Sequence, residues 1–143
     1  MGNSDLLNWK ISNFLTNKNF DFNRREILKV LSDEFIDDAY NTISSWPSYE
    51  PTPLITLNKL SKKMETKNIF YKDESKRFGL KSFKALGGAY AVEYISKGKK
   101  NITISTATAG NHGRSVAWGS QRLNLKCKIF ISEFVSEYRA NEM

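Results

Sequence analysis

Asn101-Ile-Thr-Ile-Ser-Thr-Ala-Thr-Ala-Gly-Asn-His-Gly-Arg114 decides the fold of this chain. Its first half, Asn101 to Thr106, is a β-branched run that reads as a strand. Gly110-Asn-His-Gly113 reads as a turn, and Gly113 to Asn124 as a helix carrying Val116 and Leu123 toward a core. Lys126 to Ile131 supplies the next strand. Upstream, Asn68 to Lys72 reads as a strand and Lys84 to Ser96 as a helix. Three strands alternating with helices indicate an α/β domain built on a parallel sheet with flanking helices. Ligands of such sheets bind beyond the carboxyl ends of the strands, where Thr106 to Gly113 lies. Three strands are few for a doubly wound sheet, so one edge is expected to stay unpaired and to favour association.

A second stretch, Ser82-Phe-Lys-Ala-Leu-Gly-Gly-Ala-Tyr90, brings chemistry to this frame. Phe83, Leu86, Tyr90 and Tyr94 fall on one helical stripe. Gly87, Gly88 and Ala89 let a backbone press closely on a neighbour or a ligand. Lys84 stands in the first turn, and a lysine held among apolar neighbours can act as an amine nucleophile or base. With 22 Lys and Arg in the chain, the same spacing also describes a surface lysine snorkelling along an apolar face. The Thr108–His112 loop opens a helix whose free N–H groups suit an anion, and Thr108 and Asn111 add side-chain donors. The same loop also reads as a ligand-free βα turn. Taken together, the two stretches suggest a site for an aldehyde cofactor and an amino-acid carboxylate.

Lys72-Asp-Glu-Ser75, Arg77-Phe-Gly-Leu80, Phe83-Lys84, Leu86-Gly-Gly88 and Thr106 to Arg114 resemble the diaminopropionate ammonia-lyase family. That family belongs to the pyridoxal-phosphate fold of tryptophan synthase β chain and threonine dehydratase. The resemblance runs over roughly residues 46–143, leaving 1–45 as an N-terminal helical segment. It implies that Lys84 carries pyridoxal 5'-phosphate covalently, that Phe83 packs beside it and that Asn111 hydrogen-bonds its ring oxygen. It further implies that Thr108, Gly110, Asn111 and His112 receive the carboxylate of a small amino-acid substrate. The implied reaction is elimination of ammonia from 2,3-diaminopropionate, with Lys84 as catalytic residue. One position departs: the lyases carry an aspartate base before the Gly-Asn pair, where this chain has Ala109, as threonine dehydratase and serine racemase do. A serine or threonine dehydratase is therefore the second reading. A non-catalytic remnant or interaction module is the third, because the family's glycine-rich phosphate loop and the group facing the pyridine nitrogen lie further along. The 143 residues alone are expected to be inactive, as the first part of an incomplete fold of that family.

Composition suits a globular domain, with 40% hydrophobic and 26% charged residues. The net charge of +7 is scattered without an aromatic-interleaved stripe, so no nucleic-acid partner is expected. Apolar runs are too short to span a membrane, and no signal peptide is read. The expected location is the cytoplasm, and a homodimer is one form of association to expect. One Cys and one His make a metal site implausible. Cys127 is expected in a strand as a buried small hydrophobe. Asp73 and Glu74, adjacent and so not a carboxylate pair, read as turn residues, and His112 as a backbone turn residue. Ser4 to Thr16 reads as an amphipathic helix. Asn23 with Glu26 reads as a capping box opening one long helix that turns Ile27, Val30, Leu31, Phe35 and Ala39 to the core and ends at Trp46-Pro47. Glu50 to Leu54, with two prolines, reads as extended entry.

Overall fold

The computed structural model describes Leu15, Lys18 and residues Arg24 to Asn141. The helix expected from Ser4 and Asn23 of the expected capping box lie outside them. The chain divides into two compact units, Met1–Asp33 and Glu34–Met143. In the first, α1 spans Arg24–Val30 and carries an exposed Lys29–Glu26 ion pair at 2.6 Å. Its Ile27 and Val30, and Leu31 after it, are exposed rather than core-facing.

The expected single helix is two, because α2 begins anew at Asp33 and ends at Ser44. The break falls at Leu31-Ser32, where Ser32 and Asp33 compete with helix backbone for hydrogen bonds and favour helix starts. Trp46-Pro47 follows the end of α2, as the proline dictates.

After α2 the second unit runs β1 (Leu54–Thr56), α3 (Asn58–Lys63), β2 (Phe70–Lys72), a 3-10 turn (Arg77–Gly79), α4 (Lys84–Ser96), β3 (Thr103–Ala107), α5 (Asn111–Arg122), β4 (Lys126–Phe130) and α6 (Glu137–Asn141). β3 and β4 pair in parallel, Thr103 opposite Lys126 through Ala107 opposite Phe130, with α5 as crossover. The α/β architecture read from the sequence is thus present. Its strand count differs, since β2 pairs antiparallel with β1 instead of joining β3 and β4. The reason is local: β1, after the prolines, is close enough in sequence to fold back as a partner, and α3 alone connects the two.

The core lies between α4, β3 and α5, where Val92, Ile104 and Val116 are buried with Ile102, Leu123 and Leu125 against them. α4 turns a face of small residues inward, Ala85, Gly88, Ala89, Val92 and Ser96, spaced at the helical period. The aromatic stripe lies elsewhere: Phe35 of α2 meets the rings of Tyr90 and Tyr94 edge-on at 6.2 and 6.0 Å. Tyr90 also donates to Asp38 at 2.9 Å, and desolvation first, then this bond, raises its hydroxyl pKa.

α4 and α5 approach so closely that a Cβ on Gly88 would stand 1.9 Å from Ser115 Oγ, and one on Gly119 would stand 2.7 Å from Ala89 Cα. Ser115 and Ser120 are fully buried in this contact. Each donates back into its own helix, to His112 and Val116 carbonyls, both at 2.8 Å. Cys127 is exposed in β4, a correction to its expected burial. It faces the side of β4 that α5 covers only in part, opening on a cleft lined by Ala117, Trp118 and Leu125.

Candidate functional site

Three contacts fix how α4 and α5 lie together: Gly88 on Ser115, Ala89 on Gly119, and the Glu93–Arg122 ion pair at 3.3 Å. The numbers rise together, so the helices run in the same sense. Lys84 opens α4 four residues before Gly88, and Asn111 opens α5 four residues before Ser115. Both helix starts therefore stand at one end of the parallel sheet, the carboxyl end of β3. This brings the two stretches singled out in the sequence to the same end of the fold.

Lys84 is exposed, not enclosed among apolar neighbours, and its Nζ lies 5.3 Å from the centroid of the exposed Phe83 ring. Its backbone N–H donates to Ser82 Oγ at 3.2 Å. Ser82 is buried, so the residue preceding Phe83 both anchors the helix start and leaves the Lys84 side chain outside. Gly87 has nothing within 4 Å of a would-be Cβ, so only Gly88 of the pair is explained by packing.

The Thr108–His112 stretch differs from the loop expected. α5 begins at Asn111, so Asn111 and His112 form its first turn, both exposed. Thr108 N–H is spent on the Phe130 carbonyl at 3.0 Å, one step beyond the β3–β4 ladder, which leaves its hydroxyl as donor. Gly110 holds the N-cap position and supplies no side-chain cap. The helix ladder opens with Arg114 N–H donating to Gly110 O at 3.3 Å. Donors of the first turn, at Asn111, His112 and Gly113, consequently face out of the helix end uncapped. α4 likewise has no side-chain cap from its N-cap residue Phe83, and differs in that its first N–H, that of Lys84, donates to Ser82 Oγ. His112 offers its carbonyl to Ser115 Oγ at 2.8 Å, a bond within α5.

Sequence reasoning missed the clamp that leads into Lys84. Arg77 is 6% exposed. It donates through Nε and Nη2 to Glu74 at 2.7 and 3.0 Å, through Nη1 to Glu50 O at 2.8 Å and through Nη2 to Thr52 at 3.0 Å. Thr52 donates in turn to Glu74. The Arg77 hydrogen bond holds the Glu74 carboxyl below the usual carboxylate range, and Glu74 raises Arg77. Asp73 accepts from Ser75 N–H at 3.0 Å, so both acids serve the turn, as read from their adjacency.

Beside the clamp, Phe78 stacks on Trp118 at 4.7 Å, and Trp46 meets Trp118 at 5.6 Å. Trp46, 3% exposed, donates to Glu93 at 2.8 Å, and Arg122 lies 4.3 Å over its ring. The only advance signal was the density of aromatics around positions 46–49 and 78.

A cleft of about 320 Å3 opens at the opposite end of α4, among Asp38, Tyr90, Tyr94, Lys97 and Leu125. Neither Lys84 nor Thr108–His112 lines it. Among the described residues no helix is long and apolar enough to cross a membrane.

Residues 46–143 match the family model described as "Pyridoxal-phosphate dependent enzyme". The chain is 38% identical over 111 residues to diaminopropionate ammonia-lyase of Escherichia coli, covering 65% of this chain and 28% of that protein. It is 33% identical over 113 residues to a biosynthetic L-threonine dehydratase of Staphylococcus epidermidis, covering 79% of this chain and 26% of that protein. Among solved structures, it superposes on the E. coli diaminopropionate ammonia-lyase in complex with an aminoacrylate-PLP azomethine reaction intermediate. That match has a TM-score of 0.68 and 36% identity and covers 78% of this chain and 32% of that one. The chain spans less than a third of the length of the curated relatives it matches.

Proposed function

This chain belongs to the pyridoxal-phosphate dependent enzyme family, and on that premise we propose that it supplies the amine-bearing part of a carbon–nitrogen lyase. The substrate class is a small amino acid with an amine on its β-carbon, 2,3-diaminopropionate, eliminated to pyruvate and ammonia with water consumed. Residues 46–143 form the first portion of the catalytic domain. The observation that carries the reading is the pairing of an exposed Lys84 amine with an uncapped α5 start at the same end of the sheet.

The residues fit the group. Lys84 Nζ is reachable for an aldehyde, the Phe83 ring lies beside it, and the Asn111 amide opens the neighbouring helix. When bound, pyridoxal phosphate supplies the electron sink for loss of the β-amine. Lys84 would hold it through its side-chain amine and would serve as the base that moves the proton at the substrate α-carbon. Asn111, at the start of the neighbouring helix, would donate its amide to the cofactor's ring oxygen. Thr108 Oγ1 and the first-turn N–H groups through Gly110–His112 orient the carboxylate, aided by the helix dipole.

A second reading, serine or threonine dehydratase, rests on Ala109. Its methyl group offers no base next to the substrate, and a hydroxyl leaving group would need a donor from elsewhere. Ammonia and keto-acid release from 2,3-diaminopropionate and from serine, compared on one preparation, decides between them.

The cofactor assignment is tested by incubating the chain with pyridoxal phosphate, reducing with borohydride and mapping peptides. Lys84 should be labelled ahead of every other lysine. A label spread evenly, or concentrated on another lysine, overturns the assignment.

A further inference from the structure

We propose that Arg77 is a positioning residue for Lys84, holding the turn from which α4 starts so that the amine emerges level with Asn111. The inference rests on the reading of Lys84 above and names a residue that reading does not use.

The segment from Arg77 to Lys84 is short, and it is held at Arg77, Phe78 and Ser82. Arg77 is anchored on three sides: the Glu74 carboxylate, the Glu50 carbonyl and the Thr52 hydroxyl. Its own carbonyl accepts from Leu80 N–H at 2.9 Å. Between and after these come Phe78, Gly79 and Lys81, with φ of 47°, 72° and 57°. Left-handed conformations at Phe78 and Lys81 persist only where surroundings over-determine them. For Phe78 the surroundings are Trp118 stacked at 4.7 Å and the Arg77 guanidinium at 5.7 Å. Ser82, buried, then accepts from Lys84 N–H at 3.2 Å.

The geometry thus ties the start of α4 to two things: the entry segment through Arg77, and α5 through Phe78 and Trp118. A planar guanidinium makes this possible, since it reaches the carboxylate with two nitrogens and the carbonyl with the third. A lysine at 77 keeps the charge but has one nitrogen and cannot hold all three partners. Loss of the clamp releases the strained turn, and the direction of Lys84 is set by the turn, not by α4 alone.

Lys128 serves as an internal control, because its Nζ also lies over an exposed ring, Phe130 at 5.1 Å, on a different element. Arg77→Lys is incubated with pyridoxal phosphate under conditions where a urea titration shows it folded. It is then reduced with borohydride, and the labelling rates of Lys84 and Lys128 are compared. The expected result is a Lys84-to-Lys128 ratio lower than wild type by roughly tenfold, as for a reactive group displaced by a fraction of an ångström, with Lys128 itself unchanged. An unchanged ratio in folded Arg77→Lys overturns the proposal and leaves the Lys84 assignment standing. Absence of any Lys84 preference in wild type overturns both. Should Arg77→Lys not fold, Thr52→Val, which removes one anchor and keeps the Glu74 pair, decides: a lowered ratio supports the proposal and an unchanged one overturns it.

Discussion

Gly87 and Gly88 stand side by side in α4, and replacing each by alanine should move stability in opposite directions. Alanine gains about 1 kcal/mol over glycine inside a helix. At Gly87 nothing lies within 4 Å of the new Cβ, so that gain should appear nearly whole. At Gly88 the Cβ would stand 1.9 Å from Ser115 Oγ and 2.9 Å from Ser115 Cβ, where carbon contacts settle near ~3.5–4 Å. Ser115 cannot simply turn away, because it is fully buried and its hydroxyl is engaged by His112 O. The helices must part, and overpacking of this kind costs about 1–3 kcal/mol or more. The net expectation, overpacking less the helix gain, is Gly88→Ala less stable than wild type by up to about 2 kcal/mol and Gly87→Ala more stable by up to ~1 kcal/mol. In urea, followed by the fluorescence of Trp46 and Trp118, the two midpoints should differ by roughly 1 M or more. Adding Ser115→Gly to Gly88→Ala should recover most of the loss. Equal midpoints for the two alanine variants would refute the close α4–α5 contact and the level helix starts inferred from it.

Gly119→Ala should be worse than Gly88→Ala, since its Cβ meets Ala89 Cα, a backbone atom, at 2.7 Å; a smaller loss in the same urea assay would contradict this. Glu74 has a lowered pKa in the fold, so its stabilisation is complete above the ordinary 4.5 and is lost as pH falls through the folded value. Urea midpoints from pH 6 down to pH 3 should fall, and Glu74→Gln should flatten that limb; parallel curves would show that the pair contributes nothing. Trp46→Phe removes the donor to Glu93 and should cost on the order of 1.5–3 kcal/mol, as for a hydrogen bond to a charged group, whereas a shift under about 0.5 kcal/mol would mark the bond as incidental. Asn111→Ala, at an exposed position, should leave stability within about 0.5 kcal/mol while weakening pyridoxal phosphate binding by on the order of 1.5–3 kcal/mol; an unchanged absorbance titration would make Asn111 a turn residue only.

α4 was legible at both ends because its boundaries are local. Ser82 accepts from its first N–H and Lys97-Gly98 stops it, and the structure begins and ends the helix at the residues read. β4 was legible for the same reason. The elements that escaped depend on partners far away in sequence. Arg77 takes its meaning from Glu50 and Thr52, more than twenty residues upstream, and no spacing rule points there. Trp46 is buried because Phe78, Glu93, Trp118 and Arg122, all distant in sequence, converge on it. Thr108 reads in sequence as a side-chain donor, and that its amide is taken by the Phe130 carbonyl follows from strand register, which spacing does not show. Cys127 has a composition that suits burial and a strand position that the described elements cover only in part. The aromatic stripe of α4 was read correctly as a stripe, yet the buried face is the small one, because proximity of α5 rewards short side chains over large ones.

The Gly88–Ser115 contact also constrains how this sequence can drift. The two positions share one small volume, so neither is limited by itself; their combined bulk is. A lineage that enlarges residue 88 must shrink residue 115, and the reverse. Variation at these sites should therefore be correlated and nearly constant in total side-chain volume, while Gly87 next door varies freely with respect to residue 115.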